Sequence, residues 1–244
     1  MKDTKLSQAI MNKNISANII FCIVCIAALF ITGCSRYQYV LIDSDLYKND
    51  NKEFIDENDT LMMKYNFTGT DFPITITVFN KLNQPLYIDL SKSSVIMNDT
   101  KIEDAFNRDD QTDSIAPQSF ATIKSNNLSD KFIPLSSQDK KTSVMVPTSY
   151  GSNQVKLHSF DQETSPVFFR SLLTFSTQKD YSSPMYYDHP FWVSGIFQTF
   201  DVTYSNSPSN QFYMEKTTGF ATFMGYLGAA LLLVGIAAVT PQEQ

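Results

Sequence analysis

Two uncharged apolar segments near the ends of the 244-residue chain limit what this chain can fold into. The first comprises residues 19–31 and the second residues 219–239. The 13 residues of the first are too few to cross a bilayer core of about 30 Å, but they suit a signal-peptide h-region. The 21 residues of the second, at about 1.5 Å each, reach about 31 Å and span that core. A water-exposed fold is therefore expected between them, over about residues 40–205.

The residues around Cys34 have the pattern of a bacterial lipobox. Lys2, Lys5 and Lys13 precede the first apolar segment, and two small residues separate Ile31 from Cys34. Small residues let a peptidase bind an extended backbone, and the thiol accepts diacylglycerol through a thioether. Acylation of the new amino terminus, as by palmitate, adds chains where one chain anchors only marginally. We predict a signal peptide over residues 1–33 and lipidation of Cys34; an uncleaved signal anchor with a chance cysteine is the alternative.

The second apolar segment is predicted to be a transmembrane helix over residues 219–239, followed by a short tail over 240–244. Pro241 ends the helix. Ala221, Gly225 and Ala229 are spaced by four, so they share one helix face that another helix can approach closely. This face predicts packing against a second copy or a partner, with ordinary membrane-helix composition as the alternative. The tail has no Lys or Arg, so charge does not predict its orientation.

Charge and cysteine content argue against several classes of protein. From Cys34 onward the chain has 16 basic and 24 acidic residues, a net charge of −8. Such a chain repels phosphate backbones, which argues against nucleic acid as a partner. The other two cysteines are Cys22 and Cys25, so the domain itself is expected to hold no disulfide and no cysteine-ligated zinc. Its stability must come from an apolar core, for which 19 Phe and 12 Tyr provide large side chains.

The central part of the chain has the period-two pattern of β-strands. Ile74, Ile76 and Val78 alternate with threonines, and Leu86 and Ile88 repeat the pattern after a polar turn. Short strands bounded by turn residues predict a mainly β fold, an antiparallel β-sandwich of immunoglobulin-like form, over residues 34–205. Strands are expected at 72–79, 86–90, 95–97, 119–124, 142–147, 154–160, 167–176 and 191–204. Polar loops are expected at 99–117 and 177–190, and a linker at 206–218.

Four segments of the chain resemble a group of uncharacterised envelope lipoproteins of Bacteroidetes bacteria. They are residues 34–40 (CSRYQYV), 79–90 (FNKLNQPLYIDL), 165–176 (SPVFFRSLLTFS) and 190–194 (PFWVS). The resemblance covers scattered pieces of about residues 20–200, in motifs that are structural rather than catalytic. It implies a lipidated, β-rich envelope protein without an assigned activity. Surface-exported members often have acidic residues after the lipidated cysteine, whereas Ser35 and Arg36 follow here, which implies a domain facing the periplasm.

The sequence contains few signals for catalysis. Gly69, Gly151 and Gly195 are the glycines between residues 35 and 218, which excludes a glycine-rich phosphate loop. The two histidines are His158, near Asp161, and His189, next to Asp188, and no spacing supports a nucleophile–histidine–acid set. We predict that both histidines lie at the surface or at a sheet edge.

Acidic and aromatic clusters are interpreted as structural features. Neither acidic cluster has the glycine and distal glutamate of a calcium-binding loop, so no metal and no cofactor are expected. These clusters are Asp43 with Asp45, and Asp109 and Asp110 with Asp113. Among the aromatic residues, we expect core packing for Phe191, Trp192 and Phe197, and exposed contacts for Tyr181, Tyr186 and Tyr187.

The sequence favours a non-enzymatic interaction or assembly module attached to the membrane of the bacterial envelope. Its expected partners are the membrane, another envelope protein or a second copy. One alternative is an accessory subunit of an inner-membrane complex, recruited through the C-terminal helix. A second is a membrane-tethered hydrolase that uses His189 and a nearby carboxylate. A third is a eukaryotic glycoprotein with a glycolipid-anchor signal, because acceptor triplets begin at Asn58, Asn66, Asn98 and Asn127.

Overall fold

The computed structural model describes residues 35–106, 113–148, 151–200 and 208–217. Cys34, the predicted signal peptide, the apolar segment 219–239 with its predicted packing face, and the tail lie outside the described residues. Within the described ranges, no helix is long and apolar enough to cross a membrane. The residues from Tyr37 to Glu215 form one compact unit.

The described part of the chain is mainly β, with antiparallel pairing between its strands. The strands are β1 Ser35–Asp43, β2 Tyr47–Lys48, β3 Phe54–Glu57, β4 Leu61–Asn66, β5 Thr75–Asn80, β6 Leu86–Ile88, β7 Ser94–Met97, β8 Thr100–Ile102, β9 Ser114–Ile115, β10 Phe120–Lys124, β11 Lys141–Thr148, β12 Gly151–Ser159, β13 Phe168–Ser176, β14 Pro184–Thr199 and β15 Gln211–Thr217.

These strands form two sheets. In the larger sheet the order is β11-β12-β14-β13-β6-β9, with β1 pairing with β14 and β15, and β7 pairing with β13 and β8. In the smaller sheet the order is β10-β5-β4-β3-β2. The long strand β14 organises the larger sheet, because its first half pairs with β13 and its second half pairs with β1.

The main core contains side chains from both sheets. Phe191 of β14 is central to it, with its ring centroid 5.6 Å from that of Phe54 and 5.0 Å from that of Tyr65. Phe67 contacts both Phe191 and Phe169 of the larger sheet. Full burial of each such side chain contributes about 1.5–3 kcal/mol, so these contacts between sheets provide much of the stability.

A smaller apolar cluster, here called the outer cluster, lies on the opposite face of the larger sheet. Its buried members are Tyr39, Val155 and Phe197, and the rings of Tyr39 and Phe197 stack with centroids 4.9 Å apart. Tyr39 is on β1, whose neighbouring residue Val40 enters the main core. Strand β1 is therefore buried on both of its faces, which explains its run of consecutive apolar residues.

Seven of the expected strands are confirmed, with boundaries shifted by a few residues. The segments 72–79, 86–90, 95–97, 119–124, 142–147, 154–160 and 167–176 correspond to β5, β6, β7, β10, β11, β12 and β13. An eighth, 191–204, corresponds to the second half of β14, which begins earlier, at Pro184. Their apolar alternation was a sufficient signal because each presents one face to the core.

Three expectations about loops and linkers need correction. The segment expected as a loop at 99–117 contains β8 and β9, and the one at 177–190 contains the start of β14. The segment expected as a linker at 206–218 contains β15, where Phe212 and Met214 are buried in the main core. Their polar composition was misleading because each short strand is held by tertiary contacts rather than by its own propensity.

Candidate functional site

A buried polar cluster, here called the histidine cluster, joins the two sheets. It consists of Tyr65 on β4, His189 on β14 and Asp56 on β3. The Tyr65 hydroxyl lies 2.8 Å from Nδ1 of His189, and Nε2 of the same ring lies 3.2 Å from Oδ2 of Asp56. Strands β3 and β4 of the smaller sheet and β14 of the larger sheet therefore bring these groups into contact, with Tyr65 and His189 buried and the Asp56 side chain 28% exposed.

The chemistry of the partners determines where the protons lie. A carboxylate can only accept, so the proton facing Asp56 belongs to Nε2 of His189. In the neutral ring Nδ1 is then an acceptor, and the Tyr65 hydroxyl donates to it. Both ring nitrogens of His189 are thus used within the fold, and neither is available to take a proton from a substrate.

Burial shifts the titration of this cluster. Desolvation lowers the pKa of His189, and the nearby Asp56 carboxylate opposes the shift only in part. Burial also raises the pKa of Tyr65, an effect that the neighbouring Ser171 hydroxyl reduces only in part. At neutral pH both groups are therefore uncharged, and the cluster acts as a hydrogen-bonded link between the sheets.

Ser171 completes the surroundings of the cluster. It is the cross-strand partner of His189 on β13, and its side chain is fully buried. Its Oγ has no hydrogen-bond partner of good geometry among the described residues. A nucleophile must reach a substrate, whereas the hydroxyls of Ser171 and Tyr65 both lie inside the core. The arrangement resembles a nucleophile–histidine–acid set in composition only.

The sequence identified His189 but not its partners. Asp188, its neighbour in sequence, instead forms an exposed ion pair with Arg170 on β13, and this pair raises the pKa of Arg170. The prediction that both histidines lie at the surface or a sheet edge is wrong, because both are buried within the larger sheet. The carboxylate that contacts His189 comes from Asp56 on the smaller sheet, and no local pattern in the sequence indicates that contact.

His158 belongs to a second polar site, beside a surface groove. Its Nδ1 lies 3.2 Å from Oδ2 of Asp139, whereas Asp161, which is near it in sequence, accepts hydrogen bonds from Thr164. The groove has a volume of about 620 Å³ and runs between the loops at residues 136–140 and 159–164. Asp139, Asp161 and Lys140 line it together with Phe160. Its mixed lining suits a polar ligand or a peptide loop rather than an apolar molecule.

The predicted aromatic residues occupy three different environments. Phe191 is in the main core and Phe197 in the outer cluster, which confirms core packing for both, while Trp192 is partly buried. Tyr186 is 70% exposed, as expected. Tyr181 and Tyr187 are instead partly buried, and the Tyr181 hydroxyl donates to the carbonyl oxygen of Ile88 at 2.9 Å.

The acidic clusters do not form a metal site among the described residues. Asp43 pairs with Lys48, with Oδ1 2.7 Å from Nζ, and Asp45 and Asp113 are exposed. Asp109 and Asp110 lie outside the described residues. Within the described ranges, no group of three or more histidine, cysteine, aspartate or glutamate side chains is placed to hold a metal ion.

Comparisons with protein-family models, with curated proteins and with solved structures found no match to this chain. The functional interpretation therefore rests on the chain's own residues and their geometry.

Proposed function

We propose that this protein is a bacterial envelope lipoprotein whose β-domain is a non-enzymatic interaction or assembly module. Lipidated Cys34 and a transmembrane helix over residues 219–239 would hold the domain at the membrane, on the periplasmic side. The proposed partners are the membrane and either another envelope protein or a second copy of the chain.

The observation that carries this proposal is the position of the two ends of the compact unit. The backbone N–H of Ile42 donates to the carbonyl oxygen of Asn210 at 2.8 Å, and the Tyr37 hydroxyl donates to Oε1 of Glu215 at 3.3 Å. These contacts show that β1 and β15 run side by side in opposite directions. The beginning of β1 and the end of β15 therefore lie together, and we call this the anchor end.

Both predicted attachments are close to the anchor end in sequence. Strand β1 begins at Ser35, directly after Cys34, and β15 ends at Thr217, two residues before the apolar segment 219–239. Two anchors attached to neighbouring strands would fix which end of the domain meets the membrane. Two anchors can reach the same membrane when both ends of the unit lie together, whereas ends at opposite poles would not both reach it. This geometry therefore supports a double attachment.

The proposed fold of the domain is an antiparallel β-sandwich. The ring contacts of Phe191 with Phe54 of β3 and Tyr65 of β4 support two sheets packed face to face. Its immunoglobulin-like form stays a prediction.

The histidine cluster supports a non-enzymatic role for the domain. Each ring nitrogen of His189 has an internal partner, and the Tyr65 and Ser171 hydroxyls are buried. If the hydrolase alternative holds, a His189→Gln variant that remains folded should lose the cellular phenotype, whereas a folded His158→Gln variant should retain it. If the domain is an interaction module, both variants should retain it.

Metabolic labelling with a fatty acid tests the lipid attachment. The wild-type chain should incorporate label and Cys34→Ala should not, whereas Cys22→Ala and Cys25→Ala should label normally because those residues leave with the signal peptide. An unlabelled wild type would contradict the proposal. Membranes from the labelled cells, extracted with alkaline carbonate, should retain the full chain because of the C-terminal helix.

Co-purification in mild detergent identifies the partner. If residues Ala221, Gly225 and Ala229 form a packing face, Gly225→Ile should weaken capture or self-association, while Leu231→Ile on another face should not. Equal capture of both variants would indicate that the segment serves only as a membrane anchor and has no specific packing face.

A further inference from the structure

We propose that the exposed apolar residues Met145 and Phe200 rest against the lipid surface at the anchor end, so that the domain docks on the bilayer. This inference rests on the proposed membrane attachment and adds a surface to it. Met145 is 63% exposed and Phe200 is 69% exposed, and each lies in an element that points toward the anchor end.

Strand pairing gives the direction of those elements. Strand β14 runs toward the anchor end, because Trp192 pairs with Asp43 and Thr199 pairs with Tyr37 near the start of β1. Phe200 directly follows this strand. Strand β12 is antiparallel to β14 through the pair His158–Ile196, so the β11–β12 hairpin directs its turn toward the same end.

The hairpin also reaches far enough to meet a surface there. Gly151 lies seven residues before His158, which at about 3.3 Å each places Gly151 about 23 Å beyond that pair. Strand β14 continues only three residues beyond Ile196, to Thr199, or about 10 Å. Gly151 therefore lies about 13 Å past the end of β14, whereas Ser35 at the start of β1 lies about 7 Å past it, two residues beyond the Tyr37–Thr199 pair.

The outer cluster holds the hairpin in this position. Val144 and Val146 of β11 and Leu157 of β12 pack on the cluster formed by Tyr39, Val155 and Phe197. Side chains alternate along a strand, so Met145, between Val144 and Val146, lies on the face of the hairpin opposite the outer cluster. Its exposure is therefore imposed by the packing of its neighbours.

Lipid is the occupant that the surroundings favour. The chain leaves the compact unit at this end toward Cys34 on one side and toward the apolar segment 219–239 on the other. The residues that flank the unit, Arg36 and Lys216, are exposed cations, which suit the anionic headgroups of a bacterial membrane. By contrast, the exposed Tyr186 lies in the first half of β14, toward the opposite end.

Fluorescence quenching in the full-length chain tests the contact. Single cysteines replace Met145, Phe200, Tyr186 or Tyr47 in a chain that carries Cys22→Ala and Cys25→Ala and keeps Cys34. Each is labelled with an environment-sensitive fluorophore in vesicles of phosphatidylethanolamine and phosphatidylglycerol, with and without nitroxide-labelled lipid. The parent chain without an added cysteine measures any labelling at Cys34. Tyr186 and Tyr47 are matched controls, since both are 70% exposed.

Labels at positions 145 and 200 should be quenched at least about twofold more than labels at 186 and 47, because interfacial side chains lie within about 5–10 Å of the acyl boundary. Equal, weak quenching at all four positions in a chain that resists carbonate extraction would overturn this inference and leave the anchored module intact. A shielded label at 145 or 200 that nitroxide lipid does not quench would indicate a protein occupant, and would also overturn it. A chain that carbonate extracts would overturn the proposed attachment and this inference together.

Discussion

At the scale of single residues, the histidine cluster makes folding sensitive to pH. His189 is held neutral inside the core, with Tyr65 donating to one nitrogen and Asp56 accepting from the other. Protonation would place a proton on Nδ1, where the Tyr65 hydroxyl can no longer donate to it. Desolvation by burial is the main cause of the lowered pKa of His189, because it disfavours the charged imidazolium.

Stability should fall as pH decreases below the ordinary histidine pKa of 6.5. The unfolded chain binds a proton at His189 there while the folded chain does not, so the stability present above that pH is lost toward the lower folded pKa. One proton gives a slope of at most about 1.4 kcal/mol per pH unit. Thermal unfolding between pH 7.5 and 5 should show this decline in the wild type.

His189→Gln is the matched control for that decline. The amide can still donate to the Asp56 carboxylate but does not titrate, so the pH dependence should become shallower even if the variant is less stable overall. Equal slopes for the two proteins would mean that another group controls stability in this range.

At the scale of elements, β15 connects parts of the fold that are distant in sequence. On one side it pairs with β1, and the Asn210 amide donates to the carbonyl oxygen of Ile42 at 2.9 Å. On the other side, Asp71 N–H donates to the carbonyl oxygen of Tyr213 at 3.0 Å. The ring of Phe212 stacks on that of Phe72 with centroids 4.5 Å apart. Strand β15 is thus part of the core and not a free linker.

Phe212→Ala should destabilise the domain by about 3–5 kcal/mol, since it removes a ring that is only 1% exposed and leaves a cavity. The exposed Phe200 provides the matched control, and Phe200→Ala should change stability by less than about 0.5 kcal/mol. Denaturant titrations of the two variants measure the difference. Similar midpoints would show that residues 208–217 behave as the linker that their composition suggests.

At the scale of the whole molecule, the two ends of the compact unit lie together because β1 pairs with β15. It extends from Tyr37 to Glu215, so a fragment cut at the expected limits of 40 and 205 lacks all of β15 and the first residues of β1. The missing strand covers Phe72 and contacts Tyr39. Loss of a strand from within a shared core should therefore affect the entire unit rather than one end.

A fragment of residues 35–217 should give a sheet-type circular dichroism spectrum and one cooperative unfolding transition. The fragment of residues 40–205 should unfold at a clearly lower temperature or without a cooperative transition, because its core is open along one side. Indistinguishable transitions would show that β15 contributes little to the core. A mainly helical spectrum from the longer fragment would contradict the β fold itself.

Features that depend on a local pattern of residues follow from the sequence alone. Alternation in β5 and β13 predicted strands, because a strand with one buried face shows a period of two. The chain has only two histidines, so His158 and His189 could be singled out as candidates from the sequence alone. Cys34 and the apolar segment 219–239 are likewise local patterns, and the attachments that they predict await the labelling and extraction experiments.

Features that depend on contacts between distant segments become visible in the folded chain. Strand β1 has no period-two apolar pattern, because both of its faces are buried. Strand β15 is short and largely polar in sequence, although Phe212 and Met214 are buried in the main core. His189 contacts Asp56 rather than Asp188 because β14 of the larger sheet packs against β3 of the smaller sheet at this point. Burial, unlike periodicity, is set by what lies opposite a residue in space, and the order of residues along one strand does not contain that information.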